Sequence, residues 1–202
     1  NHEILVLIGE QGLYKTTWFN FLLPPELRCY FYTKTNSDRL NKDDLFSLTE
    51  FALICFEELD GMRPAELNQL KAMVTMPYVN ERAAYGRNKE RHPHIASFCG
   101  TGNNVQFLTD PTGNRRWLPF EVSQIRDPHL HAIPYELVYS QAYALWKSGF
   151  CHWFSQEEIR KLNMHNSRFE VPNLEEDLIR THFRKPFEGE AGIFVTAADI
   201  LE

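Results

Sequence analysis

The chain has 202 residues, with 27 acidic against 21 basic side chains and a formal net charge of −6. A hydrophobic share of 43% and a charged share of 24% fit one packed domain and part of a second, and exclude collagen-like, coiled-coil and disordered classes. The acidic balance means that no global basic field draws this chain to nucleic acid, so any contact with DNA must come from a local cluster.

In chain order, Glu3–Ile8 reads as a buried strand, because continuous aliphatics run into a glycine. Ile4–Ile8 is also the longest aliphatic run, far short of the roughly 20 residues that span a bilayer, so no membrane segment is expected. The chain opens on Asn1 with no charged-then-apolar leader, and is expected to be a cytoplasmic piece of something larger. Gly9–Thr17 is a loop that runs into a helix ending near Leu23, where Pro24-Pro25 stops it. Cys29–Thr33 is strand-like, and Asn41 caps a helix with acids in its first turn. Phe51–Phe56 is a second buried strand, closed by Glu57 and Glu58. Pro64–Met76 is a helix with Leu67, Leu70, Met73 and Val74 on one face. Tyr78–Arg91, polar, basic and aromatic, is a long loop or hairpin. Ile95–Cys99 is a third buried strand, Thr109–Asn114 is turn-rich and Trp117–Val122 is another strand. From Pro134 the chain turns helical, over Tyr135–Lys147, Gln156–Met164 and about Leu174–Phe183, with Ser155 as a cap before Glu157 and Glu158. Phe194–Leu201 reads as a short strand or turn and then a helix start capped by Thr196.

Strands that end in polar clusters, separated by helices, predict an α/β fold with a mainly parallel sheet flanked by helices over residues 1–125. Residues 126–202 are expected to form a helical C-terminal extension, ending in the start of a winged-helix-like module. From Ser155 onward that extension holds ten acids against six bases, so the surplus of acid lies mostly in the tail. Sites in such sheets lie outside the carboxyl ends of the strands, and three polar clusters here each follow a buried strand.

The first cluster is Gly9-Glu-Gln-Gly12-Leu-Tyr14-Lys15-Thr16-Thr17, in which Gly9, Lys15 and Thr16 match the spacing of the phosphate-loop pattern G-x-x-x-x-G-K-[ST]. Backbone N–H groups at a helix N-terminus would cradle phosphate oxygens, Lys15 would reach the β- and γ-phosphates, and the Thr16 hydroxyl would ligate Mg²⁺. Tyr14 stands where the pattern has glycine, and its Cβ narrows the backbone there. An ordinary glycine turn beside a surface lysine is the plain alternative. In the second cluster, Glu57, Glu58 and Asp60 close a buried strand. Glu57 is assigned to the metal and Glu58 to the attacking water, with Asp60 in reserve for either role. Asn103, in the third, would bond the γ-phosphate or the water, although any turn also favours Gly and Asn. The pair Arg115-Arg116 beside Gly113-Asn114 is either surface charge or a finger to a phosphate on a neighbouring subunit. In the fifth, Tyr78, Arg82, Tyr85, Arg87, Lys89 and Arg91 combine charge with stacking faces, as a single-strand contact requires; a solvated loop is the alternative. His92, His94, His129 and His131 lack zinc spacing. Cys29, Cys55, Cys99 and Cys151 show no C-x-x-C pair, and the first three are expected to be core thiols.

Taken together, these runs resemble the virulence-associated protein E family over roughly residues 3–165. The resemblance is carried by Gly9…Lys15-Thr16-Thr17, Glu58-Leu-Asp-Gly-Met62, Leu70-Lys71, Arg82…Tyr85-Gly-Arg87, Gly100-Thr-Gly-Asn103 and Asp110-Pro-Thr-Gly-Asn-Arg-Arg-Trp117. It implies a P-loop NTPase core of the AAA+ or helicase-like type, similar to superfamily three helicases, that binds and hydrolyses ATP with Mg²⁺ in the replication of a phage or other mobile element. It further implies single-stranded or origin DNA as a partner, a primase in cis or in trans, and a homo-oligomeric ring. Carried over residue by residue, it gives Gly9, Gly12, Lys15, Thr16 and Thr17 to nucleotide, Thr16 and Glu57 to Mg²⁺, and Glu57 and Glu58 to hydrolysis. Asn103 goes to sensing and Arg115 or Arg116 to an inter-subunit finger. Two rivals stand beside it. One is a nucleotide-binding assembly or DNA-binding module with little hydrolysis, which Tyr14 favours. The other is a small-molecule kinase on the same loop, for which no substrate signature is evident.

Overall fold

The computed structural model describes residues 3–35, 41–81, 88–109, 114–187, 189–193 and 195–196. Five strands form one sheet: β1 Ile4–Ile8, β2 Phe31–Lys34, β3 Leu53–Phe56, β6 Ser97–Gly102 and β7 Trp117–Glu121. Their order is β2-β3-β6-β1-β7, and every pairing in it is parallel. Two short strands, β4 Tyr78–Glu81 and β5 Glu90–Pro93, form a separate antiparallel pair. The helices are α1 Lys15–Leu22, α2 Lys42–Glu50, α3 Pro64–Val74, α4 Tyr135–Lys147, α5 Gln156–Asn166 and α6 Leu174–His182. This is the α/β architecture expected, a parallel sheet flanked by helices.

Parallel strands are buried on both faces, and β1 shows how its run of aliphatics is used. Ile4, Val6 and Ile8 join one core with Ile54, Phe56, Leu67, Leu70 and Val74. Leu5 and Leu7 point the other way, toward Phe19, Trp18 and Leu22 of α1. So α3 covers one face and α1 the other. Proline at position 119 is tolerated because β7 is an edge strand, paired on one side only with β1.

Several element boundaries differ from the sequence expectation. Cys29 and Tyr30 belong to a 3-10 turn, Pro25–Tyr30, and the strand begins at Phe31, where pairing with Leu53 begins. Cys29 is therefore exposed, whereas Cys55 and Cys99 are buried core thiols as expected. Phe51 ends α2, its N–H donating to the Ser47 carbonyl, and its ring stacks on Tyr32. Ile95 is 57% exposed, and β6 starts two residues later but runs on through Gly100 and Gly102. That glycine run reads as a turn in sequence. It is a strand because it pairs with β1 through Gly102 and with β3 through Gly100, and glycine is required where Leu59 closes over it: a Cβ on Gly100 would lie 2.4 Å from Leu59 Cδ1.

The chain forms two compact units, Asn1–Val171 and Pro172–Glu202. The division anticipated after residue 125 lies inside the first unit. There the N–H groups of Phe107 and Leu108 both donate to the Phe169 carbonyl, and Phe169 is fully buried. In the second unit, α6 is followed by a loop in which Arg184 makes a two-pronged pair with Glu190. The expected winged-helix start, Phe194–Leu201, falls mostly outside the described residues. No described helix is long and apolar enough to cross a membrane.

Candidate functional site

Strand order decides where a cleft can open. From β1 the chain crosses to the far edge at β2 and works back through β3 to β6, then passes over β1 to reach β7. Connections leave β1 and β6 in opposite directions, and a crevice forms outside their carboxyl ends at that point.

The Gly9–Tyr14 loop lies there. The Gly9 N–H donates to the Gly102 carbonyl at 3.2 Å, continuing the β1–β6 ladder past its last pair. A Cβ on Gly9 would come within 2.3 Å of the Val122 carbonyl oxygen, so only glycine fits. Gly12 has φ +86°, and Tyr14 has φ +58° and ψ 21°. Tyr14 thus takes the left-handed conformation itself and closes the first turn of α1, accepting from the Trp18 N–H at 2.7 Å.

Lys15, on that first turn, is only 7% exposed. Its Nζ donates to the carbonyls of Gly9 and Glu10, both at 2.7 Å, and to Asn103 Oδ1 at 3.2 Å. Burial pulls its pKa below the ordinary lysine value, and the nearby Asp60 carboxylate partly offsets that. Thr16 Oγ1 donates to Glu57 Oε1 at 2.7 Å. Glu57 follows β3 directly, its N–H held by the Lys34 carbonyl. Glu58 sits in a left-handed conformation, φ +54°, and starts the 3-10 turn Leu59–Gly61. Asp60, held in reserve for either role, accepts the N–H groups of Asn103 and Asn104 on its two carboxylate oxygens, each at 3.1 Å. The cleft has a volume of about 230 Å³, walled by residues 11–17 with Glu57, Glu58, Thr101 and Asn103. Gly9 shapes the loop without lining it.

An ammonium, a hydroxyl and a carboxylate converge on one small polar cavity at a helix N-terminus. Such a cavity suits a polyanion accompanied by a hard cation. Thr16 and Glu57 are the oxygen donors that could hold Mg²⁺, which keeps most of its waters and needs few protein ligands. Among the described residues, no group of three or more His, Cys, Asp or Glu could cage a metal.

The arginine pair lies elsewhere. Arg115 and Arg116 occupy a 3-10 turn, Asn114–Arg116, that leads into β7, and Trp117 pairs with Ile4 at the start of β1. They stand at the amino edge of the sheet, about five residues or roughly 16 Å of strand from the cleft of the same chain. The fully buried Asn166 fixes that turn, its Nδ2 donating to the carbonyls of Asn114 at 2.7 Å and Trp117 at 3.0 Å. Asn114 Nδ2 in turn donates to Glu170 Oε1 at 2.6 Å. Nothing in the sequence marks Asn166, which reads as one more polar residue near a helix end.

Of the Tyr78–Arg91 segment, the described ends form the antiparallel pair β4–β5, with Asn80 opposite Arg91. Arg91 lies over the Tyr78 ring, 3.5 Å from its centroid, so one face of that ring is taken by a cation from its own hairpin. Lys89 is exposed; Arg82, Tyr85 and Arg87 lie outside the described residues.

The sequence matches the virulence-associated protein E-like domain over residues 2–171, which ends where the first compact unit ends. The chain belongs to this family. Among solved structures, the virulence-associated protein E-like domain is similar to the apo A form of the NrS-1 C-terminal region (305–718). Identity is 12% over 83% of this chain and 34% of that one, with a TM-score of 0.46. A second apo structure of the same region gives 13% identity, 83% and 35% coverage, and a TM-score of 0.47. The virulence-associated protein E-like chain spans about a third of the length of these two structures. No curated protein matches it.

Proposed function

We propose that this chain is the ATP-binding and ATP-hydrolysing, helicase-like core of a DNA replication protein from a phage or other mobile element. The observation that carries it is the convergence of Lys15, the Thr16–Glu57 pair and Asn103 on one cleft at the N-terminus of α1. Here the phosphate-loop residues Gly9, Gly12, Lys15, Thr16 and Thr17 take the triphosphate. Lys15 exchanges its carbonyl partners for the β- and γ-phosphate oxygens. Thr16 and Glu57 would hold Mg²⁺, which would supply charge neutralisation at the phosphates. Glu58 orients the attacking water, and Asn103, already within reach of Lys15, reports on the γ-phosphate. Arg115 and Arg116 cannot serve the cleft of their own chain across the sheet. They act on a neighbour's, in a ring of copies around single-stranded or origin DNA, with the β4–β5 hairpin against the strand and a primase in cis or in trans.

Mg²⁺-dependent ATPase activity, measured with and without single-stranded DNA, tests this. Activity should rise with DNA and disappear in Lys15→Ala; nucleotide binding and turnover unchanged in that variant would refute the assignment. A second reading, a nucleotide-binding module with little hydrolysis, is favoured by the Tyr14 ring, 43% exposed on the cleft wall. Tight ATP binding without turnover in the assembled, DNA-bound protein would select it.

A further inference from the structure

Beside the polar cleft lies a second cavity, of about 350 Å³, lined by Trp18, Gln124, Ile125, Arg126, Pro128, His131 and Ile133. Thr17 lines the first cavity and Trp18 the second, so adjacent residues of α1 separate them. The chain after β7 builds the opposite wall. The Val122 N–H extends the ladder by donating to the Ile8 carbonyl. Further on, a turn is closed by the Asp127 carbonyl, which accepts from Leu130 and His131, and by Asp127 Oδ1, which accepts from the His129 N–H. The His129 ring packs edge-on against Phe21 of α1, at 4.9 Å between centroids, and ties this turn to the helix.

The two cavities differ in chemistry. The first is polar and suits phosphates. The second offers an indole, two isoleucines and a proline, with Gln124, Arg126 and His131 as its polar members. An apolar slot with a few hydrogen-bonding groups suits a flat heterocycle. A larger cavity of about 590 Å³ shares Leu13 and Asn103 with the cleft, but its lining, which includes Glu10, Glu121 and Arg168, has no aromatic face. The geometry points to the second cavity as the seat of the nucleotide base, stacked on Trp18, with its polar edge read by Gln124 and His131. This rests on the reading of Gly9–Thr17 as a phosphate site, and adds the part of the ligand that the loop cannot recognise.

Calorimetric titration with Mg-ATP and with Mg-tripolyphosphate, which carries phosphates and no base, separates the two claims. Trp18→Ala should weaken ATP by about tenfold to a hundredfold, the usual worth of one base–aromatic stack, and leave tripolyphosphate unchanged. Trp18→Phe should keep most of the affinity. Trp18 is half-buried against the core, so Gln124→Ala and His131→Ala, both at exposed positions, provide a test independent of folding. Each should alter the affinity ranking of ATP, GTP, CTP and UTP, while Glu121→Gln in the other cavity should not. The proposal is overturned if Trp18→Ala weakens both ligands equally or neither, if the ranking responds only to Glu121→Gln, or if the wild type binds neither ligand. In the last case the phosphate site falls with it; in the others it stands.

Discussion

Tyr14 is the residue whose replacement tests the loop geometry most directly. It holds φ +58°, a left-handed conformation that costs a residue with a Cβ roughly 1–2 kcal/mol. Glycine pays no such cost, but it brings about 0.5–1 kcal/mol of additional unfolded-state entropy, and Tyr14→Gly alone would mix this with loss of the ring. The informative comparison is between Tyr14→Gly and Tyr14→Ala. Both lack the ring, and only alanine keeps the strain. Glycine should therefore be the more stable by about 1 kcal/mol, or about 2–4 °C in Tm for a chain of this length. Thermal unfolding followed by circular dichroism measures it. The same pair reports on the cleft: without a Cβ at position 14, Tyr14→Gly should bind Mg-ATP at least as tightly as Tyr14→Ala. An alanine variant as stable as the glycine variant, or more so, would refute a strained left-handed Tyr14 and remove the structural reason for treating it as a stand-in for glycine.

Further outcomes are expected from the same geometry. A Cβ on Gly102 would lie 2.8 Å from Ile8 Cδ1 and 3.1 Å from Asp60 Oδ1. Gly102→Ala should therefore cost about 1–3 kcal/mol in denaturant unfolding, and also lower ATPase activity by displacing the carboxylate that holds Asn103 and Asn104. Asn166→Ala leaves two buried carbonyls without their donor, at a cost of about 1–3 kcal/mol, and should reduce turnover more than ATP affinity because it frees the arginine turn. Arg115→Ala or Arg116→Ala should lower turnover while sparing ATP affinity, and mixing either variant with Lys15→Ala should restore activity in part; no recovery in any mixture would contradict a finger acting between subunits. Ser155 caps α5 through its own N–H and hydroxyl, which hold the Glu158 carboxylate below the ordinary glutamate pKa. A lowered carboxylate pKa stabilises above the unfolded value, and that gain is lost as pH falls through the folded one. The Tm difference between wild type and Ser155→Ala should thus be full at neutral pH and shrink in acid.

The sequence by itself determined what local chemistry can determine. Continuous aliphatics marked β1 and β3 as buried strands, apolar spacing placed the inner face of α3, and Ser155 with Glu158 announced a helix start. The sequence also singled out Lys15 and Thr16 by their spacing from Gly9, because a glycine loop between a strand and a helix constrains its neighbours covalently, and Glu57 as an acid closing a buried strand. It did not show that β6 inserts between β1 and β3, which brings Asn103 onto Lys15 and Asp60 onto Asn103; strand order is set by the packing of helices on both faces and leaves no local mark. Nor did it separate the arginine turn from the cleft. Parallel pairing of β7 with β1 puts whatever precedes β7 at the opposite edge of the sheet, a consequence of strand direction that no motif contains. Asn166 and Trp18 were invisible for the same reason. Each acts on residues distant in sequence, and only the folded chain sets a helix-end amide against the Asn114–Arg116 turn, or an indole against the turn beyond β7.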